Sequence, residues 1–196
     1  MDLFAFLLFA IATSATPGPN NIMVSAAAAN HGFRATIPHI LGIAVGSAVM
    51  LLVFGSGLAG PLAAAPRLHD LLRWVGVAWM LWLAFKIATA QGALGGGGGR
   101  PPLSFVGAAL FQWINPKAWL IALATVATYT TAEGSLYRQV ASLALVFFLV
   151  SLPCVGAWAA LGAGASRFLA TPRRLRSFNI VMALLLVASL VPLLQD

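Results

Sequence analysis

The stretch Thr16-Pro17-Gly18-Pro19-Asn20-Asn21 interrupts an apolar segment that carries no charged residue between residues 3 and 33. Neither proline supplies a backbone N–H, and glycine is a weak helix former, so a continuous helix is not expected across this stretch. In hydrocarbon, the carbonyl groups left without partners persist only where they face protein or a wet cavity. The stretch therefore predicts a membrane-spanning helix that is broken near its middle, with polar groups gathered at the break.

The composition of the whole chain agrees with a membrane location. Of its 196 residues, 61% are hydrophobic and 8% are charged, whereas soluble domains carry about 25% charged residues. This excludes a soluble globular protein and leaves no room for a soluble catalytic domain beside spans of about 20 residues each. The net charge of +7 does not indicate nucleic-acid binding, because the basic residues flank apolar runs and do not gather on one solvated face.

The apolar runs predict an all-α integral membrane protein with six transmembrane helices. The predicted spans lie within residues 3–33, 35–66, 71–90, 104–127, 139–166 and 177–195. Residues 92–103 are rich in glycine and end in two prolines, which predicts a flexible linker between the repeats 1–91 and 104–196. Since each repeat holds three spans, the two insert with opposite orientation, the inverted-repeat plan of many secondary transporters.

Basic residues predict the orientation of these spans. The loops after the odd-numbered spans hold seven, Arg34, Lys86, Arg100, Arg167, Arg173, Arg174 and Arg176. The opposite loops hold three, Arg67, Arg73 and Arg138. Because basic loops are retained in the cytoplasm during insertion, both termini are expected in the periplasm.

The fourth span carries a second break, Asn115-Pro116-Lys117, at a depth similar to the first. Proline-interrupted segments at matching positions of two inverted halves are the best sequence pointer to a transporter binding site. A lysine at the centre of the bilayer costs about 2.5–3.5 kcal/mol, so Lys117 is expected to face a cavity, where it meets a substrate carboxylate or exchanges protons. The alternative is a loop with Lys117 in water, but both flanking segments fall short of the usual span of about 17–25 residues.

The residues of both breaks form the candidate substrate site. Lys117 and the amides at the half-helix N-termini are expected to hold a carboxylate, and the neighbouring polar side chains an ammonium group. The predicted substrate-binding residues are Thr16, Pro17, Gly18, Pro19, Asn20, Asn21, Asn115, Pro116 and Lys117. Trp113, beside the second break, is expected to border the cavity.

Other residues are weaker candidates. Lys117 and His39 are the candidates for proton coupling, although a histidine at the head of a span is more often an interfacial residue. The pairs Gly42/Gly46 and Gly156/Ala160 have the spacing of close helix contacts. With three scattered histidines, one cysteine and no carboxylate within a span, we expect no metal site, no cofactor and no catalytic constellation.

Four motifs resemble the lysine-exporter (LysE) superfamily, in its homoserine/threonine resistance (RhtB) branch. They are Thr16-Pro17-Gly18-Pro19-Asn20, His31-Gly32-Phe33-Arg34, the glycines of residues 42–46, and Asn115-Pro116-Lys117. Residues 82–89 and 178–187 are similar to the cysteine/O-acetylserine exporters of that branch, and the glycine run at residues 95–99 departs from its more polar linker. The resemblance implies a multi-pass protein of the bacterial inner membrane that exports amino acids, driven by the proton gradient.

The expected function is export of small neutral amino acids or related metabolites, of the homoserine/threonine or cysteine/O-acetylserine type, by alternating access. In this mechanism, rocking of the two halves exposes the site to either face. The partners are the amino-acid substrate, protons and the lipid bilayer, with no nucleic acid, and a homodimer is left open. A channel and a membrane-embedded enzyme remain as alternatives, the first distinguished by flux that ignores the proton gradient.

Overall fold

Eight α-helices form most of the part of the chain that the structure, a computed structural model, describes: residues 2–58, 66–89, 101–165 and 171–190. The helices are α1 (Leu3–Ala15), α2 (Pro19–His31), α3 (Ile37–Val53), α4 (Pro66–Ala88), α5 (Phe105–Phe111), α6 (Pro116–Tyr129), α7 (Leu136–Ala165) and α8 (Pro172–Ala188). Short 3₁₀ turns occupy Arg34–Thr36 and Gln112–Ile114, and a π-helical turn, Phe54–Leu58, extends α3. The described residues contain no strand, which confirms the predicted all-α class.

Prolines begin four of the described helices, including Pro66 of α4. Pro19, Pro116 and Pro172 each stand at the first residue of a helix, where the missing N–H would have had no acceptor within the helix. Pro19 and Pro116 thus each start a new helix directly after a break in an apolar segment. The predicted interruptions are observed at both positions, between α1 and α2 and between α5 and α6.

Two helical segments are long and apolar enough to cross a membrane, Arg34–Gly57 and Leu136–Ala165. The α1–α2 pair qualifies as a third if it is counted as one span, bent by 51° at the break. Shorter apolar helices cover Trp74–Ala88 and Phe105–Ile114. Six spans in two inverted repeats remain a prediction, and residues 92–100 of the predicted linker lie outside the described residues.

Helices from the two predicted repeats interleave. The long helix α7 packs against α1, α2 and α3, while α5 packs against α3, and α4 packs mainly on α8. One buried cluster joins α1, α3, α6 and α7 around Phe6, Met50 and Leu143. A second joins α2, α4, α5 and α8 around Ile22, Met80 and Leu186. Since both clusters draw residues from both repeats, the repeats share their cores in this structure.

Close helix contacts confirm one of the predicted small-residue pairs and overturn the other. A Cβ on Gly42 or Gly46 would collide with the backbone of α5, so this pair lets α3 and α5 approach closely. The Gly156/Ala160 prediction is wrong, because a Cβ on Gly156 would meet nothing within 4 Å and Ala160 is exposed. On α7 the close approach occurs at Gly162, against the backbone of Ser25 in α2.

We expect Gly162→Ala to lower the stability of the protein and Gly156→Ala to leave it unchanged or raise it. The new Cβ at position 162 meets backbone, which cannot swing aside, and overpacking of this kind costs about 1–3 kcal/mol. At position 156 the Cβ meets open space, and alanine is favoured over glycine in a helix by about 1 kcal/mol. Thermal unfolding of both variants in detergent measures the difference. Equal melting temperatures would contradict the α2–α7 contact.

Candidate substrate site

Lys117 joins the two helix breaks. Its Nζ donates to Thr16 Oγ1 at 2.9 Å and to the Thr16 carbonyl at 3.2 Å, with the Pro17 carbonyl at 3.5 Å. Lys117 is the second residue of α6, whereas Thr16 follows the last residue of α1, so the contact links positions far apart in sequence. The structure thus brings together the two breaks that the sequence predicts to form one site.

Side chains satisfy the carbonyl groups that the first break leaves without helical partners. Asn21 Nδ2 donates to the carbonyls of Ser14 (2.7 Å) and Thr16 (2.9 Å), and Trp158 Nε1 donates to the Ala15 carbonyl (3.0 Å). An unpaired buried carbonyl costs about 1–3 kcal/mol, so these bonds stabilise the bend. The amide N–H groups of Asn21 are therefore occupied in holding the break, which differs from the ligand contact predicted for this residue.

A reciprocal amide pair links the same breaks. Asn20 Nδ2 donates to Gln112 Oε1 at 2.9 Å, and Gln112 Nε2 donates back to Asn20 Oδ1 at 3.2 Å and to the Ala108 carbonyl at 2.9 Å. Gln112 is fully buried. Gln112 is not among the residues predicted from the sequence, although a single glutamine one turn before Asn115 in an apolar span is itself a signal of a buried polar partner.

The second break is organised by local hydrogen bonds. Asn115 Oδ1 caps α6 by accepting from the backbone N–H of Lys117 at 3.2 Å, and Pro116 is the first residue of that helix. Trp119 Nε1 donates to the Trp113 carbonyl at 3.0 Å. A Cβ on Gly76 would collide with the Ile114 carbonyl, so α4 packs directly on this break. Asn115 and Pro116 thereby fix the direction in which Lys117 leaves the helix.

A central cavity lies against both breaks. Its lining includes Gly18, Pro19, Asn20, Asn21, Gln112, Asn115 and Lys117 from the breaks, with Ser14, Ser47 and Ser151 from α1, α3 and α7. Thr16, Pro17, Pro116 and Trp113 do not line it, and the ring of Trp113 packs on the cluster around Phe6. The cavity measures about 50 Å³, enough for a few waters at about 10–15 Å³ each. The site is therefore narrow in this conformation, with Lys117 bound to Thr16.

Two features of the central cavity point to a polar ligand. The buried Ser14 hydroxyl oxygen lines the cavity and has no hydrogen-bond partner. Gly18, the residue before α2, supplies no side-chain cap, so the first amides of α2 keep the partial positive charge of a helix N-terminus. Lys117 is the one ionisable residue among the described residues of the lining, which contains no Asp or Glu.

The structure separates His39 from this site. His39 lies in the first turn of α3, is 1% exposed, and has no hydrogen-bond partner at either ring nitrogen. It lines a second cavity of about 350 Å³ between α2, α4 and residues 101–104. His39 is therefore enclosed by protein, and the two candidates for proton coupling lie in different cavities.

Discontinuous apolar helices that meet beside a cavity are typical of membrane transporters. The chain belongs to the LysE type translocator family, whose sequence profile matches residues 11–194. It is 35% identical over 189 residues to the cysteine/O-acetylserine efflux protein of Salmonella typhimurium, covering 95% of this chain and 94% of that protein. The Escherichia coli protein of the same description is 31% identical over 186 residues, or 94% of this chain and 93% of that protein. No solved structure matches the chain.

Proposed function

We propose that this protein exports small neutral amino acids or related metabolites of the cysteine/O-acetylserine type from the cytoplasm across the bacterial inner membrane. The observation that carries the proposal is the position of Lys117, whose ammonium group bridges the two breaks through Thr16. The relatives described as cysteine/O-acetylserine efflux proteins support the substrate class.

The charges at the breaks suit an amino-acid carboxylate. The Lys117 ammonium and the uncapped first turn of α2 place two positive groups beside one cavity. A carboxylate that enters replaces Thr16 as the partner of Lys117, and the substrate ammonium bonds to hydroxyl and amide oxygens such as those of Ser14 and Asn20. Because the described lining offers no Asp or Glu to bind a cationic side chain, the site favours neutral amino acids over lysine or arginine.

Alternating access requires that some helices move relative to the others. Rocking of the two sequence repeats as rigid bodies would separate α7 from α1, α2 and α3, its most extensive contacts. Helices α4 and α8 contact each other more extensively than they contact any other helix. They pack on the other helices through the cluster around Ile22, Met80 and Leu186. We therefore assign the motion to the α4–α8 pair, which slides against the Gln112–Ile114 turn and opens the site to one face.

Proton coupling is assigned to Lys117. It is the ionisable group of the central cavity among the described residues, and it changes partners when substrate binds. A lysine on a flexible stem inside a membrane cavity can exchange protons between two conformations. Under this proposal an inward proton gradient accelerates efflux.

The function is tested with purified protein in proteoliposomes loaded with labelled cysteine, O-acetylserine, threonine, lysine or glutamate. We expect efflux of the small neutral amino acids, faster with an acidic exterior, and no efflux of lysine or glutamate. Flux that is independent of the gradient would indicate a channel, and chemical conversion of the substrate would indicate an enzyme.

The proposed orientation places the loops after the odd-numbered spans in the cytoplasm and both termini in the periplasm. On a Cys154→Ser background, single cysteines at Ala35 and Glu133 report the two faces, since both positions are exposed. We expect an impermeant maleimide to label the cysteine at position 133, but not the one at position 35, in intact cells. Labelling of position 35 but not of position 133 would show that the protein inserts in the opposite orientation, which would contradict export from the cytoplasm.

A further inference from the structure

The second cavity has the size and lining of a ligand site. Its volume of about 350 Å³ lies within the range of about 300–1,000 Å³ typical of small-molecule sites. One wall is apolar, with Met23, Trp79 and Leu83, and the polar groups around it include Asn30 and His39. A large apolar cavity with a few polar groups is the usual form of a binding site for a small amphipathic molecule.

In the lining of the second cavity, His39 is a buried polar residue without a hydrogen-bond partner. Buried polar atoms are nearly always hydrogen-bonded, yet both ring nitrogens of His39 have no partner, although the side chain is 1% exposed and lines the cavity. A neutral imidazole offers one donor and one acceptor. A ligand that carries both kinds of group would satisfy both nitrogens.

The charge around this cavity is positive. Lys86 is the one Lys or Arg in its described lining, which contains no Asp or Glu. The Lys86 Nζ lies 5.8 Å from the centre of the Trp82 ring, a cation–π contact that holds the ammonium against the cavity wall. The cavity therefore favours a ligand with a carboxylate.

The second cavity follows the central cavity along α2. The N-terminal residues Gly18 to Asn21 line the central cavity, and the second begins at Met23, one turn beyond Asn20, and extends to His31. At about 1.5 Å per residue, Asn20 and Asn30 lie about 15 Å apart. Asn20 and Gln112, which form the reciprocal amide pair, both line the central cavity. The second cavity also borders Lys86, which belongs to the predicted cytoplasmic loops.

We propose that the second cavity is a loading site that binds the amino-acid substrate from the cytoplasm before it reaches Lys117. The carboxylate binds Lys86, the polar groups of the substrate bond to His39, and the aliphatic part rests on the Met23–Trp79 wall. Separation of Asn20 from Gln112 then passes the substrate to the central cavity. This inference rests on the proposed function and adds a second substrate site to it.

The experiment counts binding sites for labelled L-cysteine on the purified protein by equilibrium dialysis under reducing conditions, with efflux measured on the same preparation. We expect two sites on the wild type, one on Lys117→Gln, one on His39→Phe, and none on the double variant. Lys86→Gln should weaken the loading site at least tenfold. Arg34→Gln, an exposed change on the same predicted face but outside the cavity, should leave it unchanged.

Side-specific transport provides the second readout. His39→Phe should raise the half-saturating cysteine concentration at least tenfold when substrate is supplied from the cytoplasmic face, with an unchanged value from the periplasmic face. The inference would be overturned if the wild type has a single site, Lys117→Gln removes that site, and His39→Phe binds with unchanged affinity. This result would leave the proposed function intact. Failure of the proposed function itself gives neither saturable binding nor efflux in the wild type. A phospholipid bound in this cavity, detected by native mass spectrometry and lost in His39→Phe, would also overturn it.

Discussion

Lys117→Gln is expected to abolish efflux while the protein still inserts and folds. Glutamine removes the ammonium group that contacts Thr16 and that we assign to the substrate carboxylate. A hydrogen bond to a charged group contributes about 1.5–3 kcal/mol, so loss of the carboxylate contact weakens substrate binding about tenfold to a hundredfold. Because we also assign proton coupling to Lys117, the coupled rate falls to the background of empty liposomes.

Two further variants test whether efflux depends on the charge of Lys117 and on its position at the break. Arg138→Gln removes an exposed positive charge at the start of α7 and should leave efflux unchanged. Gly18→Ala keeps the charge but places a Cβ 2.9 Å from Lys117 Cδ and 3.0 Å from its Nζ, so the side chain must swing away from the break. We expect intermediate efflux from Gly18→Ala and normal thermal stability. Wild-type efflux by Lys117→Gln at subsaturating substrate would contradict the assignment of Lys117.

Replacement of Pro17, Gly18 and Pro19 together by alanine is expected to abolish efflux by joining α1 and α2 into one helix. Alanine at positions 17 and 19 supplies the missing backbone N–H groups, so the carbonyls of Thr13 and Ala15 gain partners within the helix, and the Ser14 carbonyl accepts from the N–H of position 18. Asn21 and Trp158 then lose the acceptors that now hold the 51° bend. Both α1 and α2 pack on α7, so we expect a straight helix also to separate Thr16 from Lys117.

Distances measured by electron paramagnetic resonance between spin labels at positions 4 and 33 report whether the bend has straightened. A straight helix places its two ends farther apart than a bent one. Pro153→Ala is the matched control, since Pro153 is exposed within α7 and distant in sequence from both breaks. It should leave both the label distance and efflux unchanged. Efflux from a triple variant whose label distance has lengthened would show that the break is not needed for transport.

The sequence was sufficient to predict the breaks and their meeting, for physical reasons that are local. Proline and glycine exclude a continuous helix at residues 17–19, and a lysine at position 117 inside an apolar span requires a polar partner. The Gly42/Gly46 contact was predicted from spacing alone. These features depend on backbone chemistry and on the lipid environment, both of which can be read from a single chain.

The features that could not be predicted depend on which helices become neighbours. The Asn20–Gln112 bond pairs residues from two predicted repeats, and the role of Trp158 requires that α7 pass beside the end of α1. Gly162 and Gly156 look alike in sequence, yet only Gly162 meets the backbone of α2. The burial of His39 depends on the packing of α2, α4 and residues 101–104 around the second cavity, and this packing is not visible in the sequence.

The central claim is that a positive charge at position 117 binds the substrate between the joined breaks. Its most direct test is chemical rescue of Lys117→Cys on a Cys154→Ser background, with efflux measured before and after aminoethylation of the new thiol. The aminoethyl group rebuilds an ammonium on a side chain of nearly the length of lysine, whereas a methylating thiol reagent adds no charge. We predict no efflux before treatment, efflux after aminoethylation, and none after methylation. Efflux from the untreated cysteine variant, or equal efflux after both reagents, would contradict the claim.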